Sequence, residues 1–90
     1  MKDLDIIKQI EKELNVKLKK LIRINDNAKC YTLNQKGQVR GISLDTCEIK
    51  NLNRIILPLK GLKNLTVLSL LNNQLVDISP LRKLEKLTVL

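Results

Sequence analysis

A chain of 90 residues supports one small domain with one core, and with no histidine and two cysteines 17 positions apart it holds neither a Cys/His catalytic pair nor a CxxC metal site. Hydrophobic residues make up 43% but aromatic residues only 1%, Tyr31 alone, so burial must rest on Leu, Ile and Val. The balance of 17 basic against 9 acidic residues, a net charge of +8, attracts acidic partners and bears on association, not on fold.

The first residues, Met1-Lys2-Asp3-Leu4-Asp5, lack the apolar run and cleavage site of a signal peptide. No stretch approaches the ~20 apolar residues of a membrane span, so a cytoplasmic protein without membrane contact is expected. Leu4, Ile7, Ile10 and Leu14 then recur at helical spacing, which predicts an amphipathic helix over residues 3–14, with Asp3 as its N-cap and Asn15 as its end or bend. Residues 16–24 alternate basic and aliphatic and fit either a continued helix or a strand, and Asn25-Asp26-Asn27 reads as a loop. Tyr31-Thr32-Leu33 and residues 39–44, parted by Asn34-Gln35-Lys36-Gly37-Gln38, predict a β-hairpin with Gly37 free to take positive φ.

A repeat decides the remainder. Leu65, Leu68, Leu70, Asn73 and Leu75 follow the pattern L-x-x-L-x-L-x-x-N-x-L, and Val39, Ile42, Leu44, Cys47 and Ile49 occupy the same offsets. Leu87 and Leu90 open a third copy. Between them Pro58, Leu59, Leu62 and Leu65 match Pro80, Leu81, Leu84 and Leu87 at a shift of 22, while Val39 to Leu65 is 26, so the first copy carries four more residues, within 53–57. Alternation within each copy gives a short strand with two side chains inward, and strands of successive copies stack in parallel. The Asn amide carries donors and an acceptor for backbone groups of the buried turn, and Cys47 takes that slot in the earlier copy as a small, structural residue. Each Pro starts a helical turn, with Ser79 as a cap before Pro80.

These residues resemble the leucine-rich repeats of the bacterial 22-residue kind, and Asp77-Ile78-Ser79-Pro80-Leu81 looks like the convex-side segment of internalin-like repeats. Leu4-Asp5-Ile6-Ile7, Glu13-Leu14-Asn15-Val16, Tyr31-Thr32-Leu33 and Gln38-Val39-Arg40-Gly41-Ile42 are similar to the N-terminal cap and first repeat of bacterial Roco proteins. The resemblance implies an α/β fold, a short right-handed leucine-rich-repeat solenoid with parallel strands on the concave face. Residues 1–38 would form a helix-plus-hairpin cap and residues 39–90 the repeats, in one continuous domain. The GTPase domain of Roco proteins has no counterpart here, because no GxxxxGK[ST] phosphate loop is present.

The resemblance also implies a protein-interaction module whose concave positions are Arg40, Gly41, Ser43, Asp45 and Thr46, then Thr66, Val67, Ser69, Leu71 and Asn72, then Thr88 and Val89. Leu71 would either anchor a partner or cover a neighbouring strand. Because the third copy is incomplete within these 90 residues, Leu84, Leu87 and Leu90 are expected to present an apolar edge covered by more chain or by a second copy of the protein. A self-associating scaffold and a weak electrostatic nucleic-acid binder are the alternatives, the latter disfavoured because a lone Tyr offers no row of stacking platforms. No enzyme, metal or cofactor is expected, since Asp45, Glu48, Asp77 and Glu85 lack paired-carboxylate spacing.

Overall fold

The computed structural model describes residues 2–24, 29–75, 79–84 and 88–89, with the backbone alone at Lys83, Thr88 and Val89. Helix α1 (Asp3–Leu14) leads into strand β1 (Lys19–Lys20), and β2 (Lys29–Leu33) and β3 (Val39–Leu44) follow. A 3₁₀ turn at Leu52–Arg54 and helix α2 (Ile56–Gly61) separate β3 from β4 (Val67–Ser69), and a second 3₁₀ turn at Ser79–Lys83 precedes β5 (Thr88–Val89). Among the described residues these strands form one open sheet in the order β1-β2-β3-β4-β5. The protein is thus a mixed α/β chain. β2 and β3 pair antiparallel, whereas β1 runs parallel to β2, and β3, β4 and β5 run parallel to one another.

The hairpin forms where the alternation of β2 and β3 places it. Gly37 takes φ +78°, and the Asn34 carboxamide accepts from the Lys36 and Gln38 N–H groups at 2.9 and 3.0 Å, closing the turn around the glycine. The lysine-rich segment after α1 resolves as strand, with Leu21 N–H donating to the Tyr31 carbonyl at 2.9 Å. The loop expected at residues 25–27 lies outside the described residues.

The core is aliphatic. Ile10, Ile42, Leu44, Leu52, Ile55, Leu59 and Leu68 are fully buried, each contributing roughly 1.5–3 kcal/mol by leaving water. α1 joins that core through Ile7, Ile10 and the partly buried Leu14 of the expected stripe, with Ile6 added and Leu4, 46% exposed, left out. The reason is its neighbour: the Ile6 side chain lies against Gly61 of α2, so the buried arc of α1 centres on Ile6 and Ile10 and leaves Leu4 at the rim.

Two further expectations are revised. Asp3 does not cap α1; its Oδ2 accepts from the Val39 N–H at 2.8 Å, which pins the start of α1 to the start of β3. Pro58 is the third residue of α2 and Pro80 the second of its 3₁₀ turn, positions where a missing N–H is still harmless because the first turn of a helix has no partner for it. Asn15 ends α1 as expected, in the left-handed conformation with φ +55°. The stretch that holds the four added residues of the first copy, 53–57, runs from within the Leu52–Arg54 turn into the start of α2, and there Arg54 bonds the Glu13 carbonyl at 2.8 Å and carboxylate at 3.1 Å, clamping the end of α1.

Candidate interaction face

The sheet has two unlike faces. Cross-strand register places Tyr31, Ile42 and Leu68 together on the face that carries the core. The outer face carries two rows: Thr32, Gly41 and Val67, with Thr88 next in register, and Cys30, Ser43 and Ser69. Small side chains therefore line its centre.

Four of the residues expected to be exposed on this face are buried: Gly41, Ser43, Asp45 and Ser69. Asp45 explains part of this. At the end of β3 its carboxylate turns toward the next strand, where Oδ1 accepts from the Ser69 hydroxyl at 2.6 Å and the Leu71 N–H at 2.8 Å. It is a brace, not a contact point. Exposed are Arg40, Thr46, Thr66, Leu71 and Asn72, with Val67 half-buried; Leu71 is 40% exposed. Of the expected apolar edge, Leu84 is half-buried against the core, while Leu87 and Leu90 lie outside the described residues.

The turn after β3 is held from β4. Asn73 Oδ1 accepts from the N–H groups of Cys47 and Ile49, both at 3.0 Å, and its Nδ2 donates to the carbonyls of Leu44 and Leu70 at 2.8 and 3.1 Å. Its donors and acceptor thus serve chiefly the preceding turn. Thr46 and Asn72, at equivalent offsets, both adopt positive φ, +54° and +58°. Cys47 fills the asparagine slot and donates through Sγ to the Asp45 carbonyl at 3.6 Å. Burial pushes its thiol above the ordinary value, Lys29 pulls it partly back, and Asp45 raises it again. Cys30 and Cys47 are both free thiols and both buried.

One feature of the outer face has little trace in the sequence. Residues 22–24 run beside the strands and enclose a groove of about 220 Å³ with Thr32, Arg40, Gly41 and Val67. Adjacent residues of a regular strand point to opposite faces, yet Arg40 and Gly41 both line it. The cause is a β-bulge: Thr32 pairs with Gly41 and Leu33 with Val39, so Arg40 is the extra residue of β3. At Gly41 a Cβ would stand 2.9 Å from Thr32 Oγ1 and 3.2 Å from Ile24 Cγ1, so the backbone approach requires glycine. In the sequence, Ile22 and Ile24 are only part of the ambiguous basic-aliphatic run, and a bulge leaves no local mark. A larger recess of about 500 Å³ opens on the helical side, between α1 and α2, lined by Ile6, Leu57 and Gly61 together with polar residues.

Among the described residues no three Cys, Asp or Glu side chains gather as metal ligands, and no helix is long and apolar enough to cross a membrane. Compared with known proteins, the chain matches no protein-family model and no curated protein.

Proposed function

We propose that the protein is a cytoplasmic protein-interaction module built as a short leucine-rich-repeat solenoid, whose outer sheet face is the concave binding surface. The parallel course of β3, β4 and β5, the Asn73 bonds to the preceding turn and the matched positive φ of Thr46 and Asn72 support the repeat reading. Two buried free thiols suit a reducing compartment. The observation that carries the binding reading is the asymmetry of the sheet. Its core face is occupied by α1, α2 and the leucines, while its other face displays Arg40, Thr66, Leu71 and Asn72 beside the groove. An exposed aliphatic side chain amid polar neighbours is the usual form of an interface anchor.

The test is affinity capture from the source cell with the wild-type chain, Leu71→Asp and, as a control on the helical side, Lys60→Glu. Loss of specific partners with Leu71→Asp alone is expected. Identical partner sets from all three proteins would remove the outer face as the binding surface.

A further inference from the structure

We infer that the groove between residues 22–24 and strands β3 and β4 takes an extended acidic peptide, seating one aliphatic side chain against Ile22, Ile24 and Val67 and a flanking carboxylate on Arg40. The inference rests on the interaction-face reading above and narrows it to one end of that face and one partner chemistry.

Each part of the groove argues for this occupant. Ile22, Ile24 and Val67 supply apolar walls, Gly41 lets Ile24 pack close to β3, and the volume of about 220 Å³ equals the space of roughly seven waters, enough for one side chain with its backbone. Ile22 is 95% exposed, an arrangement that wastes apolar surface unless something covers it. The charged lining residues are Arg23 and Arg40, both exposed and both cationic, and among the described residues no carboxylate joins them. Lys19 of the neighbouring β1 edge, in register with Cys30 of the outer face, extends the positive strip. Arg40 reaches the groove because of the bulge, a device that re-aims a side chain at the cost of a ladder position. Its planar guanidinium matches a carboxylate bidentately.

Other anionic partners fit less well. A bilayer reaches the protruding Ile22 but not the recess at Ile24 and Val67, and among the described residues the lining offers nucleic-acid bases no aromatic stacking platform. A peptide matches both the charge and the recess.

The experiment measures fluorescence anisotropy of a labelled peptide of alternating Asp and Leu against the full chain, with ¹H–¹⁵N spectra locating the contact. Saturable, salt-sensitive binding is expected, with the largest shifts at Arg23, Ile24, Arg40 and Val67. Arg40→Glu should weaken it at least about tenfold. Ile22→Ser, at a site too exposed to affect folding, should weaken it several-fold, and Lys60→Glu should leave it within about twofold. The inference is overturned if a Lys-Leu peptide or an Asp-Ser peptide binds as tightly, or if the Asp-Leu peptide does not bind. It is equally overturned if phosphatidylserine vesicles or polyuridylate shift the groove resonances where the peptide does not. Peptide shifts confined to Thr66, Leu71 and Asn72 would overturn the groove while leaving the wider interaction face in place.

Discussion

The side chain of Asn73 lies one strand beyond Cys47 and accepts that residue's N–H at 3.0 Å, so the turn after β3 is closed by a residue from the following copy. The same amide serves Ile49, Leu44 and Leu70. Asn73→Ala would strand those backbone groups, at about 1–3 kcal/mol for each one left without water. Because Asn73 is half-buried and water reaches part of the turn, a net loss of about 2–3 kcal/mol is expected in urea denaturation. Asn73→Asp keeps the acceptor but sets a carboxylate against the Leu44 carbonyl, so it should not restore wild-type stability.

Asp45 and Ser69 form the second tie between neighbouring strands, a 2.6 Å hydrogen bond with both residues buried. Removing the carboxylate leaves the Ser69 hydroxyl and the Leu71 N–H without this acceptor, whereas removing the hydroxyl leaves the carboxylate its bond from Leu71. Asp45→Ala should therefore cost about 3 kcal/mol and Ser69→Ala about 1 kcal/mol. The double variant should cost less than their sum by about 1 kcal/mol or more, and strict additivity in the double-mutant cycle would show that the bond contributes no coupling.

The repeat positions were legible because aliphatic spacing, the Pro offsets and the Asn slot are local patterns imposed by periodic burial. Leu68, Leu70 and Leu44 are buried as their offsets require, and the hairpin turn follows from Asn34 and Gly37. What escaped depends on the meeting of distant segments. The use of Asp3 by Val39, the rotation of α1 toward Gly61 and the burial of Asp45 each involve a partner remote in the chain. The groove needs the bulge at Arg40 and the placement of residues 22–24 beside it, neither of which a hydropathy pattern encodes.

Thr46 holds φ +54° with a β-branched side chain, a conformation that costs L-residues roughly 1–2 kcal/mol and that asparagine tolerates better. Asn72 holds the equivalent position at φ +58°. Thr46→Asn should accordingly stabilise the protein by about 0.5–1 kcal/mol, after allowance for the lost hydroxyl bond to the Asp45 carbonyl. At roughly 4–8 °C per kcal/mol for a domain of this size, the gain is visible as a higher Tm in a thermal melt. An unchanged or lower Tm would show that the hydroxyl bond outweighs the backbone strain.

Burial raises the Cys47 thiol above its ordinary value of 9.0. A folded-state pKa above the unfolded one favours the protonated folded form. That contribution is complete below about pH 9 and is lost as pH rises through the folded value. Stability should thus decline more steeply above pH 9 in the wild type than in Cys47→Ser. Native protein at pH 8 should react slowly with a thiol reagent, and both cysteines should react once it is unfolded, since both are buried. Lys29→Ala removes the cation that lowers the thiol's pKa and should move the reactivity profile to still higher pH.

Gly41 and Gly61 both sit where a Cβ would come within 2.9 Å of a neighbour, yet their replacement by alanine should differ in outcome. At Gly61 the contact is Ile6 Cδ1, the far end of a flexible side chain that a small rotation moves aside. Alanine there also gains helix propensity of up to about 1 kcal/mol in α2, so Gly61→Ala should be near neutral. At Gly41 the contacts are Thr32 Oγ1, whose β-branched side chain has restricted rotamers, and two carbons of Ile24 at 3.2 and 3.3 Å. Gly41→Ala should cost about 1–3 kcal/mol and push residues 22–24 away from β3. Measured stabilities that rank the two variants the other way would show that residues 22–24 yield freely, and a groove with so loose a wall would hold its acidic peptide weakly.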